Sequence, residues 1–168
     1  SEEVVGDLSA SLGLNEKLFV ATKVWTSGLD EGIRQMTNSL SLLKRKKIDL
    51  MQIHNLVDWK THLKTLRTWK DQGKIQYIGI THYTESAYPA LEEVIKNHPL
   101  DFLQINYSIL SRKAEERLFP LAQEKKVGVI INQPFEEGTL FRMVKGRELP
   151  SWAEEFDCHS WGQFFLKF

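Results

Sequence analysis

The chain has 168 residues, and its 22 Lys plus Arg are balanced by 22 Asp plus Glu. That length suits one domain with a real core, and zero net charge excludes the broad basic footprint of a nucleic-acid binder. A single cysteine, Cys158, excludes an internal disulfide framework or a thiolate metal cluster, and no apolar stretch is long enough to cross a membrane.

Taken in chain order, Ser1 precedes Glu2 and Glu3 and then Val4, Val5, Leu8 and Leu12. An N-cap serine, early carboxylates and apolar residues at helical spacing predict a helix start. A short apolar run covers 18–25 and contains Lys23. Residues 30–44 place Ile33, Met36, Leu40 and Leu43 on one helical face. Lys44-Arg45-Lys46-Lys47 closes this segment and reads as a solvated helix end, where cations meet the negative pole of the macrodipole. A second apolar run, 48–54, ends in His54. Residues 59–72 align Leu63, Leu66 and Trp69 as a helix stopped by Gly73. A third run, 77–82, ends in Thr81-His82. Residues 84–97 carry Ala87, Leu91, Val94 and Ile95 and are closed by Pro99. A fourth run, 102–107, contains Gln104. Helical spacing of Leu118, Leu121 and Ala122 over 112–125 follows Ser111, read as an N-cap. A fifth run covers 127–133, and 135–159 is the least regular stretch. His62 and His98 read as surface residues and His159 as part of the irregular tail.

Strand and helix therefore alternate every 25 to 30 residues or so, the signature of parallel βα units. An open doubly wound sheet and a (β/α)₈ barrel both fit such a repeat. The barrel is favoured. No strand is followed by a glycine-rich phosphate loop, polar residues end run after run, and both ends read as cut from a longer fold. The expectation is a partial TIM-type (β/α)₈ barrel: one incomplete domain over 1–168, about five parallel strands in sequential order, and helices outside.

In parallel α/β folds chemistry gathers at the carboxyl ends of strands. Lys23 sits among apolar neighbours, where an ammonium must be paired or solvated at the rim. His54 ends the next run, read at the same height as Lys23, and the two resemble an acid/base pair. His54, His82 and an acidic partner offer a zinc reading, although the chain has no His-x-His ligand pair. Gln104, an amide in an apolar strand, needs a partner with both a donor and an acceptor, such as a carboxamide. Tyr77, Tyr83, Tyr88 and Tyr107 read as packing residues rather than acid catalysts, although Tyr107 lies near a strand end.

The stretches Ala21-Thr22-Lys23-Val24-Trp25, Asp49-Leu50-Met51-Gln52-Ile53-His54-Asn55 and Gly73 to His82 resemble the core of an aldo-keto reductase. So do Gln104-Ile105-Asn106-Tyr107-Ser108 and Asn132-Gln133-Pro134-Phe135. The resemblance covers essentially the whole chain. It implies a barrel that binds NADP(H) without a Rossmann domain and transfers hydride reversibly between the nicotinamide and an aldehyde or ketone. Lys23 matches the family's Lys and His54 its His. The partner Asp and Tyr are expected in a segment before Ser1, and the adenosine phosphate site beyond Phe168. Gln104 matches a nicotinamide-amide ligand, Thr81 replaces a usual Ser, and His82 stands where Asn is common. Asn132 stands where an aromatic ring often stacks on the nicotinamide. Gln133, Phe135 and Gly138 fall in a pyrophosphate-contacting stretch, beside Glu136 and Glu137, which are awkward there unless turned outward. The resemblance further implies a small-molecule carbonyl substrate, no nucleic-acid or membrane partner, and a cytoplasmic setting. A non-catalytic nucleotide-binding or sensor barrel and a metal-dependent hydrolase barrel remain as alternatives. The 168 residues alone are expected to lack useful reductase activity and, with open strand edges, to be prone to association.

Overall fold

A computed structural model describes all 168 residues. Five strands form one sheet: β1 (Ala21–Val24), β2 (Ile48–His54), β3 (Ile75–Thr81), β4 (Phe102–Asn106) and β5 (Gly128–Asn132). Their order is sequential and every neighbouring pair is parallel, as a barrel segment requires and a shuffled doubly wound sheet does not. Between them run α2 (Leu29–Leu42), α3 (Trp59–Asp71), α4 (Tyr88–Asn97) and α5 (Leu118–Lys125), preceded by α1 (Glu2–Ser11) and followed by α6 (Thr139–Met143) and α7 (Trp161–Leu166).

Alternation along the strands divides the side chains between two faces. Val24, Met51, Ile53, Ile78, Ile80, Leu103 and Ile105 join the buried cluster shared with the helices, which contribute Met36, Leu63, Leu66, Trp69, Leu91, Val94, Ile95, Leu118 and Leu121. The opposite face, the concave interior, carries Leu50, Tyr77 and Phe102 toward the strand starts. Phe19 completes an aromatic floor there, 6.1 Å from Tyr77 and 6.4 Å from Phe102 between ring centroids. Gly128 makes room for it: a Cβ at that position would lie 2.8 Å from the Phe102 ring.

Strand starts are pinned by two carboxylates. Asp49 Oδ2 accepts from the Val20 backbone N–H at 2.8 Å and from Arg45 at 3.0 Å, and Arg45 also donates to the carbonyls of Asn15 and Leu18. Asp101 Oδ2 accepts from the Ile78 N–H at 2.8 Å and pairs with Lys70. The basic cluster 44–47 is therefore not simply a solvated helix end. Lys44 pairs with Asp7, while Arg45 keeps only 8% of its side chain exposed because four acceptors surround it, Asp49 and the carbonyls of Asn15, Leu18 and Lys47.

The helix after Ser1 is present, and three other expectations are corrected. In α1 the apolar residues face outward, with Val4 59% and Leu12 67% exposed, whereas Gly6 and Ser9 are buried. Gly6 allows this contact, since a Cβ there would meet the Leu42 carbonyl. In α2 the buried stripe is Gly32, Met36, Ser39 and Leu43, leaving Ile33 largely outside. His62 is fully buried rather than superficial. Its ring lies over Gly32 in α2, and Nε2 reaches the Thr26 carbonyl at 2.7 Å. Finally, α5 begins at Leu118, not near 112. Proline is tolerated in the first turn but clashes with the carbonyl four residues back in a helix interior, so Pro120 forbids the longer helix. Ser108, not Ser111, organises the approach by accepting from the N–H groups of Leu110 and Ser111.

Asp49→Ala strips Arg45 and the Val20 N–H of their shared acceptor while leaving both at a partly buried site. Urea unfolding should show a loss of about 3 kcal/mol; a loss below about 0.5 kcal/mol, as for a typical surface change, would contradict the clamp.

Candidate active site

The strand tops converge on a rim that collects most of the candidate residues, in an order set by the register. Lys23 pairs with Gln52, and Gln52 with Gly79. His54 pairs with Thr81, and Thr81 with Gln104. Asn106 pairs with Asn132. Lys23 thus stands one inward-facing rung below His54, not level with it. The residue beside His54 is Trp25, whose ring centroid lies 5.1 Å from the imidazole. Lys23 and His54 both touch an open groove of about 610 Å³ along the edge strand β1, whose walls are otherwise mostly residues of β1, α1 and α2 such as Glu2, Val5, Gln35, Asn38 and Leu42. Gln35 fixes the end of β1 by accepting from the Trp25 N–H at 2.7 Å, and Glu2 bonds the Thr22 hydroxyl.

The loop after β2 is strained: Asn55, Leu56 and Asp58 have φ of 52°, 55° and 44°, a left-handed conformation unfavourable for residues with a Cβ. Asp58 stabilises the turn by accepting from the Gly28 N–H at 2.8 Å. That bond and the Thr61 hydroxyl hold its carboxyl below the usual carboxylate range. The loop after β1 is thereby tied to α3 twice, through Asp58 and through the His62–Thr26 contact.

Burial, reinforced by the nearby Lys23 ammonium and the His82 ring, lowers the His54 pKa below the ordinary 6.5. His82 is lowered by burial as well. Its Nδ1 accepts from the backbone N–H groups of Tyr83 at 3.1 Å and Thr84 at 3.2 Å, so the neutral ring carries its proton on Nε2. His82 is committed through one nitrogen to shaping its own loop. The two histidines gather no third ligating side chain into a metal-type cluster.

Of the expected cofactor residues, Thr81 and Gln104 share the rung of His54, and Asn132 lies at the top of β5 with its Oδ1 buried and unpartnered. The loop that follows is differently engaged. Gln133, Glu136 and Glu137 have φ of 53°, 49° and 52°, and Gly138 of 84°. Gln133 bonds Glu137, Glu136 accepts from the Ser108 hydroxyl, and Phe135 packs on Phe141 at 4.9 Å. Glu136 is thus turned toward the loop after β4. Sequence reasoning passed over Gln52, which is buried beside Lys23 with both amide atoms unpartnered; an amide amid Leu50, Met51 and Ile53 was the available signal.

Tyr107 does not face the rim chemistry. Its hydroxyl donates to Glu115, and burial together with that carboxylate raises its pKa.

Histidines with folded pKa values below 6.5 take up protons more readily when unfolded. Their contribution to stability is therefore complete above 6.5 and lost as pH falls through the folded values. Urea unfolding midpoints should fall between pH of about 7.5 and about 5.5, and the fall should shrink in a His54→Gln, His82→Asn double variant; an equal fall in that variant would assign the loss to other groups.

The aldo/keto reductase family model matches residues 1–160. Aldo-keto reductase YhdN of Bacillus subtilis is 26% identical over 144 residues, 78% of this chain and 43% of that protein. Among solved structures, the holo form of aldo-keto reductase AKR11C1 from Bacillus halodurans superposes with a TM-score of 0.72 at 28% identity, over 89% of this chain and 50% of that one. An aldo/keto reductase from Klebsiella pneumoniae, in complex with NADP and acetate, shares the fold with a TM-score of 0.69 at 20% identity, over 85% of this chain and 51% of that one. The chain spans about half the length of these relatives, and it belongs to the aldo/keto reductase family.

Proposed function

We propose that residues 1–168 form one domain that is part of a complete (β/α)₈ barrel, and that the whole protein is an NADP(H)-dependent oxidoreductase acting on small aldehydes or ketones. The observation that carries this reading is the register that sets Lys23 one inward-facing rung below the row His54, Thr81 and Gln104 in a chain of this family. Cys158 is buried and unpaired, and a cytoplasmic setting is part of the proposal.

The strand tops suit a nicotinamide. A carboxamide needs an acceptor and a donor. Asn132 offers a buried Oδ1 with no partner in the chain, and Gln104 offers an amide on the neighbouring strand, one inward-facing rung below. Thr81 lies between Gln104 and His54. Glu136, held by Ser108, is kept from crowding a phosphate, which supports Gln133, Phe135 and Gly138 as the outer wall. His82 contributes at most its Nε2 proton.

NADPH, when bound, supplies the hydride for the carbonyl carbon. His54, neutral near pH 7, donates a ring N–H to the carbonyl oxygen and orients it. Lys23 places an ammonium near the same oxygen, where it favours charge developing there and lowers the pKa of the acid that protonates it. That acid lies outside these residues. Tyr77 is packed in the aromatic floor, Tyr83 lies on His82, Tyr88 donates to Asn106 and Tyr107 to Glu115. The 168 residues by themselves hold and orient but do not protonate.

Two assays with an aldehyde and NADPH test this. In the complete barrel, Lys23→Met and His54→Ala should each lower kcat/KM by about 10²- to 10⁴-fold, while the 168-residue chain should stay at background. Turnover by the short chain within about tenfold of the complete barrel's would mean that the proton donor lies inside it after all.

A further inference from the structure

His62 has no role in the reading above, yet two features of the fold exist to seat it. Its side chain is fully buried in α3, and its ring lies on Gly32 of α2. A Cβ at Gly32 would come within 2.5 Å of His62 Cε1 and 2.7 Å of Nδ1. A glycine inside a helix costs backbone entropy that alanine avoids, so the imidazole takes room that a better helix former would fill. His62 Nε2 lies 2.7 Å from the Thr26 carbonyl oxygen. A carbonyl only accepts, so Nε2 carries a proton, while Nδ1 is buried without a partner. Leu or Met in that space would leave no such orphan. What neither supplies is an N–H for Thr26.

Thr26 belongs to the loop between β1 and α2, residues 25–28. Three bonds from the helices and their caps hold that loop. Gln35 accepts from the Trp25 N–H at 2.7 Å, Asp58 accepts from the Gly28 N–H at 2.8 Å, and His62 donates between them. The first two lie at exposed positions, where water offers each N–H another partner. The third comes from a residue closed to water, so breaking it leaves a buried donor with nothing in exchange. The side chain that this loop sends to the interior is Trp25. Val24 packs in the helix-side core, and alternation turns the next residue the other way. The Trp25 indole lies 5.1 Å from the His54 imidazole, ring to ring, at 54°. A shift of the backbone at Thr26 carries that indole with it.

We propose that His62 is a positioning residue for one wall of the carbonyl site: by donating Nε2–H to the Thr26 carbonyl, it holds the loop after β1 so that Trp25 stays against His54 and bounds the space beside that imidazole. Gly32 is the seat that makes the bond possible. The proposal rests on the reductase reading for its purpose, but the coupling from His62 to the Trp25–His54 pair involves only bonds and contacts present within this chain.

The test follows the imidazole Cε1–H signal of His54 by NMR in the 168-residue chain, at a pH of about 7.5, where the ring is neutral. The signal is identified by its loss in His54→Gln. The ring current of the indole displaces it, and Trp25→Leu gives its position without that displacement. His62→Phe fills the seat but has no N–H, and it should carry the His54 signal most of the way to its Trp25→Leu position. His62→Gln presents an amide N–H in place of Nε2–H and should leave the signal near that of the unaltered chain. A signal displaced as far in His62→Gln as in His62→Phe would count against the bond. Gly32→Ala pushes the imidazole from its seat while favouring the helix, and should displace the signal in the direction of His62→Phe; it decides alone if His62→Phe fails to fold. Urea unfolding of the same variants separates the structural alternative. A His62 that only stabilises α3 lowers the unfolding midpoint and leaves the His54 signal in place, and that result overturns the proposal. Because no cofactor enters the measurement, a displaced signal alongside an inactive complete barrel would sink the reductase reading and spare the His62 anchor. An unmoved signal with an active barrel would do the reverse.

Discussion

Everything at the rim depends on strand register. Side chains alternate with a period of two, so a one-residue slip of β2 would exchange Gln52 and His54 for Met51 and Ile53. Two polar groups would enter the helix layer, and two large apolar ones would face the cavity. Asp49 and Asp101 oppose that slip at the strand starts, each tying a carboxylate to a backbone N–H next to or on the neighbouring strand and to a cation from a helix or its C-terminal loop. Below the rim, the aromatic floor of Phe19, Tyr77 and Phe102 sets the spacing of β3 and β4. Above it, Asp58 and His62 tie the loop after β1 to α3. Structural ion pairs and hydrogen bonds thus lie both below and above the rim, and the side chains read as chemical, His82 and Gln133 apart, are those left without such ties.

That contrast separates the rim residues from their neighbours. Tyr107, Tyr88 and Glu136 are polar, sit near strand ends and have partners within the chain. Gln52 and the Asn132 oxygen are buried without them, and His54 is held neutral by burial and by the charge of Lys23. Native proteins leave few buried polar groups unpaired, and functional sites are where the exceptions gather.

The sheet was legible because strands buried on both faces leave short apolar runs whatever their partners. The observed strands begin and end within three residues of those runs. Lys23, His54 and Gln104 were legible because ionisable or amide groups interrupt such runs. What escaped were facts that depend on a second element. The buried side of α1 is chosen by the approach of Gly6 to the Leu42 carbonyl, not by the distribution of its own Val and Leu. His62 is buried because Thr26 supplies an acceptor 2.7 Å away across a loop. The one-rung offset of Lys23 from His54 is set by the stagger between strands, which no single strand encodes. The late start of α5 is encoded locally, since Pro120 is tolerated only in the first turn of a helix that begins at Leu118.

The central claim is that His54, Thr81, Gln104 and Asn132 form one surface that meets a nicotinamide, with Lys23 beneath it. Its most direct test is a ¹⁵N NMR titration of the 168-residue chain with NADP⁺, or with nicotinamide mononucleotide where the adenosine end has no site. Chemical-shift changes centred on His54, Thr81, Gln104 and Asn132, lost in a Gln104→Leu, Asn132→Leu variant that stays folded, are the predicted result. Changes confined to surfaces away from the strand tops, or the same changes in the double variant, would contradict it.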